Sequence, residues 1–85
     1  MKKYTKIYLS YLGYYETDFI NCECCNNKAV DIHHIETRKR RKDLENEISN
    51  LMALCRDCHI KYGDKKQFKE YLNEVHKNKL ETIKR

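Results

Sequence analysis

A small α+β fold, stapled by four cysteines and flanked by a helix at each end, is what this sequence predicts. Three observations carry the prediction. Two Cys-x-x-Cys pairs, Cys22/Cys25 and Cys55/Cys58, bracket the middle of the chain. The 29 residues between Cys25 and Cys55 give the spacing of a treble-clef-like staple around an inserted hairpin. Apolar residues recur at helical spacing on both sides of the bracketed segment.

Each element has a local reason. Tyr4, Ile7, Tyr8, Tyr11, Leu12 and Tyr15 recur at helical spacing with Lys and Ser between them, which predicts a helix over about 3–13 ending near Gly13. Such a tyrosine stripe could stack on bases, but a core-facing role is the ordinary use of the pattern. Ala29 to Ile35 reads as a strand, and the charged, aperiodic residues 36–47 as a loop. Leu51 to Leu54 is a short apolar run that pairs naturally with the first strand. A helix starting near Arg56 carries His59 and breaks at Gly63. Asp64 with Gln67 three residues later resembles a capping box. Phe68, Tyr71, Leu72, Val75 and Leu80 then supply the apolar face of a last helix over about 64–80. That helix also carries His76, which reads as a surface residue.

The length of 85 residues fits a single domain over 1–85 with its core at 20–63. A domain of that size buries only about 60–65% of its unfolded surface and usually needs a metal or disulfide staple. No apolar run near the N-terminus is long enough for a secretory signal or a membrane span, so a cytoplasmic setting is expected. Thiols stay reduced there, which favours metal over disulfides. A redox Cys-x-x-C motif needs one pair, and two matching pairs fit a metal better. Soft thiolates in a tetrahedron are zinc ligands, so Cys22, Cys25, Cys55 and Cys58 are read as one structural Zn2+ site. Cys24 is the odd thiol and is expected to bind no metal.

The formal charge is +5, from 18 basic and 13 acidic residues, and it is unevenly spread. Residues 1–31 carry four charges of each sign, whereas residues 61–85 carry eight basic and four acidic groups. Arg38-Lys39-Arg40-Arg41-Lys42 is an unbroken cationic run. Alone it reads as a solvated loop. Beside a reactive site it reads as a phosphate contact, because clustered cations concentrate a polyanion.

Three histidines and an asparagine complete the reading. A single strand histidine is usually packed or solvated. Here His33 and His34 are adjacent, and His59 abuts the second cysteine pair. Ile32-His33-His34-Ile35, then Asn50-Leu51, then Leu54-Cys55-x-x-Cys58-His59, resembles the HNH endonuclease family in order and spacing. The resemblance covers about residues 20–63. It implies a ββα-metal fold of the His-Me finger kind and a metal-dependent hydrolysis of phosphodiester bonds in DNA. It further implies that His34 is the general base, that Asn50 steadies the loop and through it the base, and that His33 and His59 hold one catalytic divalent ion, Mg2+, Mn2+, Ni2+, Co2+ or Zn2+. The position one turn after His59, a further ligand in some relatives, is Gly63, so no third histidine is assigned. Small proteins of this layout are common in bacteriophages, which implies a phage-type nuclease acting on double-stranded DNA inside a bacterial cell, among packaging or other nucleic-acid enzymes. The rival readings are a zinc-stabilised nucleic-acid-binding accessory module without catalysis and a protein–protein adaptor. Neither needs the full set of His33, His34, Asn50 and His59. Neighbouring strand residues point to opposite faces, so His33 and His34 can share a site only where the strand ends or bends.

Overall fold

The computed structural model describes residues 1–83. Its elements are α1 (Lys3–Leu12), β1 (Asp31–His34), β2 (Leu51–Leu54), α2 (Arg56–Tyr62) and α3 (Lys69–Ile83), with 3-10 turns at Lys42–Leu44, Ile48–Asn50 and Lys66–Phe68. The two strands pair antiparallel, with His33 opposite Met52 and His34 opposite Leu51. This is the expected small α+β arrangement, a hairpin followed by a short helix. Among the described residues no helix is long and apolar enough to cross a membrane.

β2 explains the packing. All four of its residues are buried, although side chains alternate between faces. Leu51 and Ala53 meet Tyr8 and Leu9 of α1. Met52 and Leu54 meet Cys22, Cys55, Cys58, Ile35 and Leu72 on the other side. A strand covered on both faces must be apolar throughout, which is why Leu51–Leu54 reads as a continuous run.

α1 stops where Gly13 takes a left-handed conformation (φ 78°). The Gly13 N–H donates to the Ser10 carbonyl and the Tyr14 N–H to the Leu9 carbonyl, a Schellman closure. That stop removes Tyr15 from the helical stripe and leaves it exposed, and Tyr11 is also largely exposed. The core face of α1 is therefore narrower than the tyrosine pattern suggests. The expected first strand shortens to Asp31–His34, although Val30 N–H still donates to the Leu54 carbonyl and Ile35 N–H to the Asn50 carbonyl.

Two expectations about the last helix are corrected. Asp64 lies at φ 57°, and no side-chain cap bond forms at Lys65, so the capping box does not form. The chain turns at Asp64 and enters α3 through the 3-10 turn. His76 is not a surface residue: it is 1% exposed. It lies one turn after Leu72 on the inward face of α3, and its Nδ1 is 2.8 Å from Glu23 Oε1 and its Nε2 2.6 Å from the Ile48 carbonyl. Glu23, whose side chain is fully buried, also accepts from the Tyr8 hydroxyl at 2.5 Å. Burial and this carboxylate push the Tyr8 phenol far above its ordinary pKa.

Candidate active site

The cysteine site is assembled from two turns. Cys22 and Cys25 flank a tight loop closed by Cys22 N–H to the Asn27 carbonyl and Asn26 N–H to the Cys22 carbonyl. Asn26 holds the left-handed position of that loop (φ 67°). Cys55 caps α2, its sulfur accepting from Cys58 N–H at 3.4 Å. The four sulfurs of Cys22, Cys25, Cys55 and Cys58 all lie within 4.8 Å of one another, as one tetrahedral ion requires. Backbone N–H groups of Cys55, Cys24 and Cys25 outweigh burial and bring the Cys22 thiol down to about 7, which suits a thiolate ligand. Cys24 stands outside the set, and burial, reinforced by neighbouring negative groups, pushes its thiol up to about 11.

The histidines meet in a second place. β1 ends at His34, and a cleft of about 420 Å³ opens there, lined by His33, His34 and His59 together with Tyr4, Asp31 and Arg38. The strand end is what lets two neighbouring histidines share one cleft. The His33 and His59 rings lie 5.0 Å apart, centroid to centroid. His33 Nε2 is buried and has no hydrogen-bond partner. Burial, helped by the nearby His59, holds the His33 pKa below the ordinary imidazole value and keeps the ring neutral. His59 Nδ1 lies 3.3 Å from Asp31 Oδ2, which leaves Nε2 as its ligand atom. A Cβ at Gly63 would run into the edge of the His59 ring and approach Nε2 to 3.2 Å. An orphaned imidazole nitrogen, a second imidazole facing it and a bare glycine beside it fit a divalent ion held by His33 and His59.

His34 is held differently. Its Nε2 donates to the Glu45 carbonyl at 2.9 Å, and because a carbonyl can only accept, the proton sits on Nε2 and the lone pair on Nδ1. Burial is the main influence on its pKa. The Glu45 carbonyl opposes it and Arg38 adds to it, and the balance is a value below the ordinary one. Asn50 braces the surrounding loop from a buried position. Its Oδ1 accepts from Glu36 N–H at 2.7 Å, and its Nδ2 donates to the Glu36 carbonyl at 3.0 Å and the Leu44 carbonyl at 3.3 Å. Leu44 immediately precedes Glu45, so Asn50 fixes the segment whose carbonyl holds His34.

The cationic run divides. Arg38 and Lys39 line the cleft, and Arg40 lines an adjoining groove. Arg41 is turned onto Asp43, with nitrogen–oxygen distances of 3.1 and 3.0 Å, and Lys42 opens a 3-10 turn. Two cleft residues carry no role in the sequence reading. Asp31 was legible in principle, because residues two apart on a strand share a face with His33. Tyr4 was not separable from the core stripe, yet its ring stands edge-on to His34 at 4.5 Å and lies beneath the Arg38 guanidinium at 5.5 Å.

A four-cysteine staple beside a ββα unit, with histidines from the first strand and the helix facing one cleft, defines a class of small metal-dependent nuclease folds. A family model described as HNH endonuclease matches residues 22–65, just over half of the chain, and the chain belongs to that family. Searches among curated proteins and among solved structures each gave no match.

Proposed function

We propose that the chain is a metal-dependent DNA endonuclease that hydrolyses phosphodiester bonds through His34. One observation carries this reading: His33 Nε2 is buried without a partner and faces His59, while the neighbouring His34 is fixed by its Nε2 and keeps Nδ1 free to accept a proton. A divalent ion held by His33 and His59 would supply positive charge to the phosphate and to the leaving 3′ oxygen. His34 Nδ1 takes the proton of the attacking water and is neutral for that purpose near pH 7. Asp31 orients His59, and Asn50 orients His34 through the loop it braces. Arg38 and Lys39 attract the backbone into the cleft. The intended substrate is duplex DNA, in keeping with a basic chain and a phage-type setting.

Supercoiled plasmid incubated with Mg2+, Mn2+, Ni2+, Co2+ or Zn2+ tests the reading. Relaxed circles should accumulate with at least one ion. His34→Ala should abolish nicking while zinc content and folding stay intact, and while binding of the added ion persists. His33→Ala and His59→Ala should instead weaken the response to that ion. No nicking with any of the five ions would refute the proposal.

A further inference from the structure

The cleft has a neighbour. A second groove of about 160 Å³ lies against it, and His33, Thr37 and Asp64 line both. Its rim is cationic: Arg40 from the loop after β1, and Lys65 and Lys66 from the segment leading into α3. Among the described residues no carboxylate lies within ion-pair distance of these three. Lys69, also in the lining, is engaged by Glu36 at 2.9 Å. Asp64 is the one carboxylate of the lining, so three free cations face one anion. Ile35, Tyr62 and Leu72 form the floor, and apolar walls strengthen the field of charges at the rim. The groove has room for a phosphate group.

We propose that this groove is a subsite for a second backbone phosphate, the neighbour on the same strand of the one placed between His33 and His59, held by Arg40, Lys65 and Lys66. The choice of a nucleic-acid backbone rests on the nuclease reading above. Two grooves that share the His33 wall lie side by side, as consecutive phosphates of one strand do. The subsite explains why cations cluster in two separate places in the sequence. Arg40 and Lys65/Lys66 are 25 residues apart and meet across one groove.

The test compares Lys65→Gln/Lys66→Gln with a charge-matched control, Lys77→Gln/Lys79→Gln, whose residues line neither groove. Binding to a labelled DNA duplex is followed by fluorescence anisotropy across a salt series without added divalent ion. Losing one phosphate contact should make the log–log salt slope shallower by about 0.9, which weakens binding roughly eightfold at 0.1 M salt relative to 1 M. The control should keep the slope of the unaltered chain. Equal slopes for the two double variants would overturn the subsite. Hydrolysis of bis(4-nitrophenyl) phosphate by the unaltered chain, a substrate with a single phosphate, reports separately on the catalytic centre. A shallower slope without that hydrolysis would refute the nuclease reading and still support the phosphate groove.

Discussion

Replacing Asn50 by Asp should damage the protein more than its near-identical shape suggests. The Asn50 side chain is buried and makes three hydrogen bonds, one as acceptor and two as donor. Aspartate keeps the acceptor for the Glu36 N–H but loses both donors, so a carboxylate is set against the Glu36 and Leu44 carbonyls. Two lost bonds cost about 0.5–1.5 kcal/mol each, and carbonyls left without a donor add about 1–3 kcal/mol. A total of roughly 2–6 kcal/mol is a large share of the about 5–15 kcal/mol that holds an ordinary domain together. For a chain of this size that corresponds to a melting temperature lower by about 8–48 °C. The surviving folded molecules should also nick more slowly, because the loop that presents the Glu45 carbonyl to His34 is released. Thermal unfolding of zinc-loaded protein and plasmid nicking well below the new melting temperature read the two effects apart. An Asn50→Asp variant that melts and nicks like the original would refute the bracing role.

Five further outcomes follow from the same geometry. The folded chain should carry one zinc by elemental analysis, and Cys→Ser at position 22, 25, 55 or 58 should unfold it, since such a site contributes about 10–16 kcal/mol in peptides. His34 must be neutral to act, and its pKa lies below the ordinary value, so the rate should rise with pH through a limb below about 6.5 and then level off. Arg38→Gln removes one of the influences holding that pKa down and should move the limb to higher pH in a kcat/KM profile. Tyr4→Phe keeps the ring and should nick normally, whereas Tyr4→Ala should lose roughly two- to tenfold in rate, the equivalent of one edge-on aromatic contact. His76→Leu should cost at least about 1–3 kcal/mol in thermal unfolding, because it removes the hydrogen-bond partner of the fully buried Glu23 side chain and of the Ile48 carbonyl.

What the sequence made legible was whatever depends on short spacing. Each cysteine pair closes its own turn, so the four ligands and the odd Cys24 were separable before any coordinates. The hairpin was readable because Leu51–Leu54 is apolar at every position and the strand before it is not. What escaped was decided by partners far along the chain. His76 looks like a polar residue on a charged helix until Glu23, 53 residues earlier, is seen beside it. Tyr4 belongs to a stripe whose other members mix core and solvent, and no helical period sets its place in the cleft apart from theirs. The motif at Asp64 failed locally, because a left-handed residue reorients the chain before the helix begins. The basic run looked uniform, but the turn that follows it pairs Arg41 with Asp43 and leaves Arg38 and Arg40 facing different grooves.

These long-range partners connect the four-cysteine site with the histidine cleft. Glu23 stands between the zinc ligand Cys22 and the unliganded Cys24, so the first knuckle fixes its backbone. Its carboxylate meets His76 Nδ1, and His76 Nε2 meets the carbonyl of Ile48, the first residue of the turn that ends in Asn50. Both ring nitrogens of His76 are therefore engaged, one by the first knuckle and one by the turn before β2. Asn50 then holds Leu44, and the next residue, Glu45, holds His34. The orientation of His34 thus traces back, bond by bond, to the first cysteine knuckle. α3, all of which lies outside the family match, supplies the link in the middle. A chain this small has no deep core on which to mount a catalytic loop. It uses the buried, hydrogen-bonded Glu23–His76 pair in that place, and His34 inherits its fixed position from a cysteine turn through it.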